Sequence, residues 1–130
     1  VILPMCLKDI KDKILSPVPQ EEAEATYCTK IQRKDAKINP KEETAKEIYN
    51  KFRAFFPWPG LYFNWNDKRI KLLKIKKEED YPEISPGELK ALNDKLYLGT
   101  KDGCIELLIL QAEGKKPMNA KDFINGFLQK

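Results

Sequence analysis

Leu61-Tyr62-Phe63-Asn64-Trp65-Asn66-Asp67-Lys68-Arg69-Ile70-Lys71-Leu72-Leu73-Lys74-Ile75-Lys76 is the stretch on which the fold turns. Residues that favour strands flank Asn66-Asp67, a dipeptide suited to the tight turn of a hairpin. Two strands are predicted, 61–65 and 68–76. Ile70 and Leu72 alternate with Arg69 and Lys71, Leu73 breaks the alternation, and Ile75 resumes it in the shifted phase, as a β-bulge or bend would. With that shift Arg69, Lys71, Lys74 and Lys76 all point outward.

Upstream, Asn39-Pro40-Lys41-Glu42 has the marks of a helix start. Asn39 suits the N-cap, Pro40 the first helical position, and Glu42 completes a capping box. Ala45, Ile48, Tyr49 and Phe52 follow at helical spacing, which predicts a helix over 40–54 with one apolar face. Pro57 and Pro59 stop it, and Pro59-Gly60 suits the centre of a type II turn. Earlier still, Thr26, Tyr27, Cys28, Thr29 and Ile31 suggest a first strand, ended by the charged turn Arg33-Lys34-Asp35. Downstream, an acidic, proline-punctuated loop over 78–87 leads to strands at about 88–92, 95–99 and 104–111, separated by Asn93-Asp94 and Lys101-Asp102-Gly103. Asn119 caps a last helix with Phe123, Ile124, Phe127 and Leu128 as its apolar positions. About six short strands with two helices predict a mainly β fold, a small OB-like Greek-key barrel.

Before that barrel, Met5, Leu7, Ile10, Ile14 and Leu15 keep a partly helical spacing, and Ser16-Pro17-Val18-Pro19 with its polar neighbours forbids helix. Residues 1–22 are therefore expected to be the end of an interdomain helix and a linker, and residues 23–130 the OB-like domain. Position 1 is Val rather than Met, and the opening residues lack the basic flank and length of a secretion signal. The chain reads as a piece of something longer.

With 130 residues, 42% hydrophobic and 34% charged, the chain has the size and composition of one globular domain rather than a disordered one. No apolar run approaches the roughly 20 residues of a membrane span, so no membrane partner is expected. It contains no histidine, which removes Ser-His and Cys-His catalysis and His-ligated zinc. Cys6, Cys28 and Cys104 are odd in number and widely spaced, so neither a disulfide framework nor a metal site is expected and the cytoplasm is the favoured compartment. Net charge is only +4, yet it is unevenly distributed: residues 30–53 carry 8 Lys/Arg against 4 Asp/Glu and residues 66–77 carry 6 against 1, while residues 78–98 carry 2 against 6. Such segregation suits attraction of a polyanion, and suits equally a set of solvated, aggregation-resistant faces.

No phosphate-binding glycine loop or nucleophile elbow is present, and the pairs Glu21-Glu22, Glu42-Glu43 and Glu78-Glu79 read as solvated carboxylates. Phe55, Phe56, Trp58 and Tyr62 are expected to fill the barrel end beneath the helix. The competing reading makes Trp58 a stacking platform for a base. Gly114-Lys115-Lys116 is a short basic loop, able to touch phosphate or to be only a solvated turn.

Phe52-Arg53-Ala54-Phe55-Phe56-Pro57-Trp58-Pro59-Gly60 resembles the Arg-Ala-Phe-x-Pro-Trp-Pro-Gly signature in the C-terminal domain of the methionyl-tRNA formyltransferase family. Pro17-Val18-Pro19-Gln20 with Ala25-Thr26-Tyr27-Cys28-Thr29-Lys30-Ile31 is similar to that family's linker and first strand. Leu108 to Met118 with Asp122-Phe123-Ile124-Asn125-Gly126 is similar to its closing strand and helix. At Ile38-Asn39-Pro40 the chain departs from the family's usual Ile-Asp-Trp. The resemblance implies an OB-like barrel that helps bind initiator methionyl-tRNA in translation initiation. It implies further that catalysis belongs to a separate N-terminal domain of the same polypeptide, which uses 10-formyltetrahydrofolate and carries the family's Asn, His and Asp. This chain is then expected to hold no catalytic residue, cofactor or metal and to be inactive alone. The tRNA-facing candidates are Lys30, Arg33, Lys34 and Lys37 of segment 30–41, Lys68, Arg69, Lys71, Lys74 and Lys76 of the basic strand, and Lys115 and Lys116. The alternative is a structural or oligomerisation barrel of a related sugar-nucleotide or folate formyltransferase-type enzyme, whose lysines are only solvated.

Overall fold

In the computed structural model, which describes residues 2–77 and 82–128, the hairpin forms as expected. β1 (Tyr62–Trp65) pairs antiparallel with β2 (Lys68–Lys77), and Asn66 and Asp67 both take positive φ, 46° and 60°. That is the backbone of a type I′ turn, whose twist matches the strands it joins. The same device recurs at Asn93 and Asp94 (51° and 61°) between β3 (Leu89–Leu92) and β4 (Lys95–Gly99). β5 (Cys104–Ala112) follows, and the two-residue β6 (Met118–Asn119) pairs with its end. The sheet order is β1-β2-β5-β4-β3. β3, β4 and β5 are consecutive, and β2, joined to β3 by a long connection, lies beside β5; this is the Greek-key arrangement. The result is a mainly antiparallel half-barrel of OB-like build.

The expected bulge is present, since the β2–β5 register shifts between Leu72 and Lys74 and again between Lys74 and Ile75. The shift keeps Ile70, Leu72 and Ile75 buried while Arg69, Lys74 and Lys76 stay exposed and Lys71 is half-buried. Across the ladder Ile105, Leu107 and Leu110 complete the buried side, with Ile48 of the long helix and Phe123 of the last helix packed into the same core.

Three departures have physical causes. The long helix is Ala45–Phe55 and its cap is Thr44, not Asn39. Asn39-Pro40-Lys41-Glu42 instead closes a turn of its own, with the Asn39 carbonyl accepting from Glu42 and Glu43 N–H at 3.0 Å. Thr44-x-x-Glu47 is a full capping box: Glu47 N–H donates to Thr44 Oγ1 (3.2 Å) and Thr44 N–H to Glu47 Oε2 (2.8 Å). Asp102 Oδ1 accepts from Ala45 N–H at 2.8 Å, so a loop far along the chain shares in fixing the helix start. Donation to the Glu47 carboxylate from the Thr44 backbone N–H first, and from the Thr44 hydroxyl second (Oγ1 to Oε2, 2.8 Å), holds that carboxyl below its ordinary range. The cap therefore stabilises the fold above the usual carboxylate range and weakens as acidification protonates Glu47. Second, no strand forms over 26–31. Tyr27 is 91% exposed, and β-forming side chains that bury nothing have no ladder to hold them. Third, the described residues hold three α-helices where two are expected for the barrel, because the helical spacing from Met5 to Ile10 forms a helix of its own.

The additional helix, Ile2–Lys11, belongs to the first of two compact units, Val1–Lys30 and Ile31–Lys130. Ile2, Leu3, Met5, Leu7 and Ile10 are exposed along it. The last helix, Ala120–Phe123, starts at Asn119 as expected, whose Oδ1 accepts from Asp122 N–H at 2.9 Å, and continues through Ile124–Leu128 with π-helical bonding. Glu78-Glu79-Asp80-Tyr81, in the acidic loop, lies outside the described residues. No described helix is long and apolar enough to cross a membrane.

Gly99, at the end of β4, exchanges backbone hydrogen bonds with Gly87 and Glu88 at 2.9 Å, and a Cβ there would overlap the Ser85 carbonyl. Gly99→Ala is expected to lower stability by about 1–3 kcal/mol, and Thr44→Ala by about 1 kcal/mol. Urea titrations of both variants check this, and a Gly99→Ala domain as stable as the parent contradicts the close approach.

Candidate functional site

The β1–β2 register sorts the hairpin into two faces. Tyr62 stands opposite Lys71 and Asn64 opposite Arg69, so these four share the outer face, whereas Phe63 and Ile70 meet on the buried one. The Arg69 guanidinium lies over the Tyr62 ring, 4.9 Å from its centre, a cation–π contact that holds the arginine along the sheet. The Lys71 stem runs against Gly60, which has φ +80° as the predicted turn requires. A Cβ on Gly60 would overlap Lys71 Cε and stand 3.0 Å from Nζ. Glycine is needed there for its conformation, and the Lys71 tip lies in the space it leaves.

Arg33 comes from a 3-10 turn, Arg33–Ala36, closed by Gln32 N–H donating to Asp35 Oδ2 at 2.7 Å. Together with Trp58, Pro59 and Gly60, the cations Arg33, Arg69 and Lys71 line a cleft of ≈ 290 Å³ that no acidic residue lines. None of the three makes an ion pair among the described residues.

The other candidates lie in different surroundings. Lys34 and Lys37 line a second cleft with Lys41, and Glu43 lies there too. Lys68 and Lys115 line a third with Trp65 and Phe127, where Asp122 supplies negative charge. Lys74 is exposed within the bulge, opposite Ile109. Lys76 stands opposite Glu106, which is itself 3.6 Å from Lys95. Lys116 is exposed in the turn before β6, and Lys30 is the exposed last residue of the first unit. Of the eleven candidates, then, Arg33, Arg69 and Lys71 alone share a cleft free of carboxylates. Lys41 and Tyr62 are absent from the sequence candidates. Tyr62 is accessible to register reasoning, because Tyr62 and Arg69 are diagonal neighbours across a two-residue turn.

The expectation for Trp58 fails: it is 58% exposed and Phe56 60% exposed. Phe55 does pack against the core, but Phe56 lies outside it against Phe52, ring centres 6.0 Å apart. The helix ends at Phe55, Phe56-Pro57-Trp58 is exposed, and the chain is buried again at Gly60-Leu61. Leu61 and Ile48, fully buried, already fill that end of the core.

Among the described residues no group of His, Cys, Asp and Glu is placed to hold a metal ion, and the three cysteines are free thiols. The cleft offers positive charge, N–H donors and one uncovered aromatic face. It is equipped to bind an anion, not to move a proton at neutral pH.

A family model described as formyl transferase, C-terminal domain, matches residues 30–128. The chain is 37% identical over 113 residues to a methionyl-tRNA formyltransferase of Thermodesulfovibrio yellowstonii, covering 87% of this chain and 35% of that one. It is 39% identical over 115 residues to one of Campylobacter curvus, covering 88% and 36%. The chain thus spans little more than a third of the relatives it matches. In fold it is similar to HypX of Aquifex aeolicus, solved in complex with tetrahydrofolic acid, with a TM-score of 0.63 at 20% identity over 95% of this chain and 22% of that one.

Trp58→Ala is expected to leave stability within about 0.5 kcal/mol of the parent, as for other exposed positions. A thermal melt decides it, and a loss of several kcal/mol would restore Trp58 to the core.

Proposed function

The chain belongs to the formyl transferase C-terminal domain family, and on that footing we propose that it is the tRNA-binding C-terminal domain of a methionyl-tRNA formyltransferase. That enzyme transfers a formyl group from 10-formyltetrahydrofolate to initiator methionyl-tRNA in the cytoplasm. The observation that carries the reading is the cationic cleft of Arg33, Arg69 and Lys71, which no acidic residue lines, with Lys74 farther along the same strand. The curated relatives that bear the enzyme's name support it.

The domain's role is to hold rather than to react. Lys and Arg side chains that neutralise phosphates release condensed counterions, and this supplies affinity without reading base sequence. A tRNA held on this face presents its acceptor end to the catalytic domain, which brings the folate and the reacting groups. Residues 1–22 are the connection to that domain, and residues 23–130 the binding module. With no histidine in the chain, it is expected to transfer no formyl group by itself, and turnover by the purified chain would overturn that.

Arg69→Ala with Lys71→Ala and Lys74→Ala is expected to keep the melting temperature nearly unchanged. It should weaken tRNA binding and lower the salt slope of log K by about one unit for each phosphate no longer neutralised. The titration is made with this chain and with the full-length enzyme. Unchanged affinity and salt slope in both would favour a structural barrel of a sugar-nucleotide or folate formyltransferase.

A further inference from the structure

We propose that the cleft beside Trp58 receives one unpaired nucleotide of the bound RNA, its base stacked on the indole and its phosphate held by Arg33, Arg69 and Lys71; the inference rests on the tRNA-binding reading above. The aromatic residues of this region divide sharply. Phe55 packs against the core, Phe56 lies against Phe52, and Tyr62 is covered by Arg69. Trp58 alone among them neither packs against the core nor has a ring or cation partner among the described residues, and it is 58% exposed. The exposed indole forms one wall of a cleft whose charged side chains are all cationic. An aromatic plane beside guanidinium and ammonium groups is the arrangement that binds single-stranded nucleic acid, where the base stacks and the cations follow the backbone.

Size restricts the occupant. At ≈ 290 Å³ the cleft lies at the lower edge of the range for small-ligand sites. A duplex offers phosphates to its rim but no base plane to its wall, because paired bases are stacked inside the helix. An unpaired base meets no such obstacle. The platform is also fixed before binding: Pro57 and Pro59 lock their φ angles on either side of Trp58, and Gly60 N–H donates to the Phe55 carbonyl at 3.0 Å. Little ordering is left to be done when the base arrives.

The test compares a single-stranded RNA oligomer with an RNA duplex of equal phosphate count, both fluorescently labelled, against this chain and its Trp58→Ala and Trp58→Phe variants. Trp58→Ala is expected to weaken single-strand binding by about 5- to 150-fold and to leave duplex binding unchanged. Trp58→Phe, which keeps an aromatic plane, is expected to restore most of the single-strand affinity. In a Trp65→Phe background the remaining indole should be quenched by the single strand and not by the duplex. Equal affinity of parent and Trp58→Ala for the single strand overturns the inference and leaves the indole to be covered by a protein surface. Equal losses on both RNAs overturn it as well. Its failure is separable from that of the broader reading. A neutral Trp58→Ala beside a weakened Arg69→Ala, Lys71→Ala, Lys74→Ala variant removes stacking alone, whereas tRNA binding untouched in the triple variant removes the tRNA reading.

Discussion

The pairing of β2 with β5 governs the rest of the molecule. These are the longest strands, ten and nine residues, and their register slips at Leu73 on one side and Leu108 on the other. In a strand a slip of one residue exchanges the two faces. Because both strands slip at the same place, the exchange is made and then undone: Ile70 and Leu72 before the irregularity and Ile75 after it all face the same core as Ile105, Leu107 and Leu110. The ladder bends without breaking, and a half-barrel can close over its apolar side.

The same slip sorts the charges of the outer face. Toward the hairpin, Arg69 and Lys71 look onto Tyr62, Gly60 and Arg33, with no carboxylate lining their cleft. Through the bulge the strand runs past Lys74 to Lys76, where Glu106 stands opposite and Lys95 approaches the same carboxylate. One strand thus carries two kinds of lysine. At one end the cations face a carboxylate of the domain, and at the other they line a cleft without one, the Glu113 carboxylate meeting Arg69 at its backbone N–H instead (3.2 Å). Exposed charges contribute little to folding, so the barrel is indifferent to the second kind and a binding role for it carries no structural cost.

Much of this was legible in the residues. Asn66-Asp67 and Asn93-Asp94 announced their turns because positive φ at both central positions is tolerated by few side chains. The break at Leu73 announced a bulge or bend because a doubled apolar pair interrupts a period of two. Other features depended on partners distant in the chain. Asn39 and Thr44 are both good caps, and Asp102, 57 residues beyond Ala45, helps decide between them. Thr26 to Ile31 has strand propensity and no ladder, and propensity without pairing is not structure. At Trp58 aromatic character argued for burial, while the two flanking prolines determined where the backbone went. The three cations of the cleft come from segments 36 residues apart, so their meeting follows from sheet register rather than from any local pattern.

Gly60 leaves a groove that the Lys71 stem occupies. A lysine free in solvent samples many rotamers, and immobilising it costs about 1.5–2 kcal/mol of side-chain entropy. Lys71 surrenders part of that freedom when the domain folds, together with the backbone, rather than when a ligand arrives. Lys74, within the bulge, is exposed where Lys71 is half-buried. Two ammonium groups of equal charge on one strand therefore differ in what they lose on meeting the same phosphate, and the glycine facing one of them is the origin of the difference.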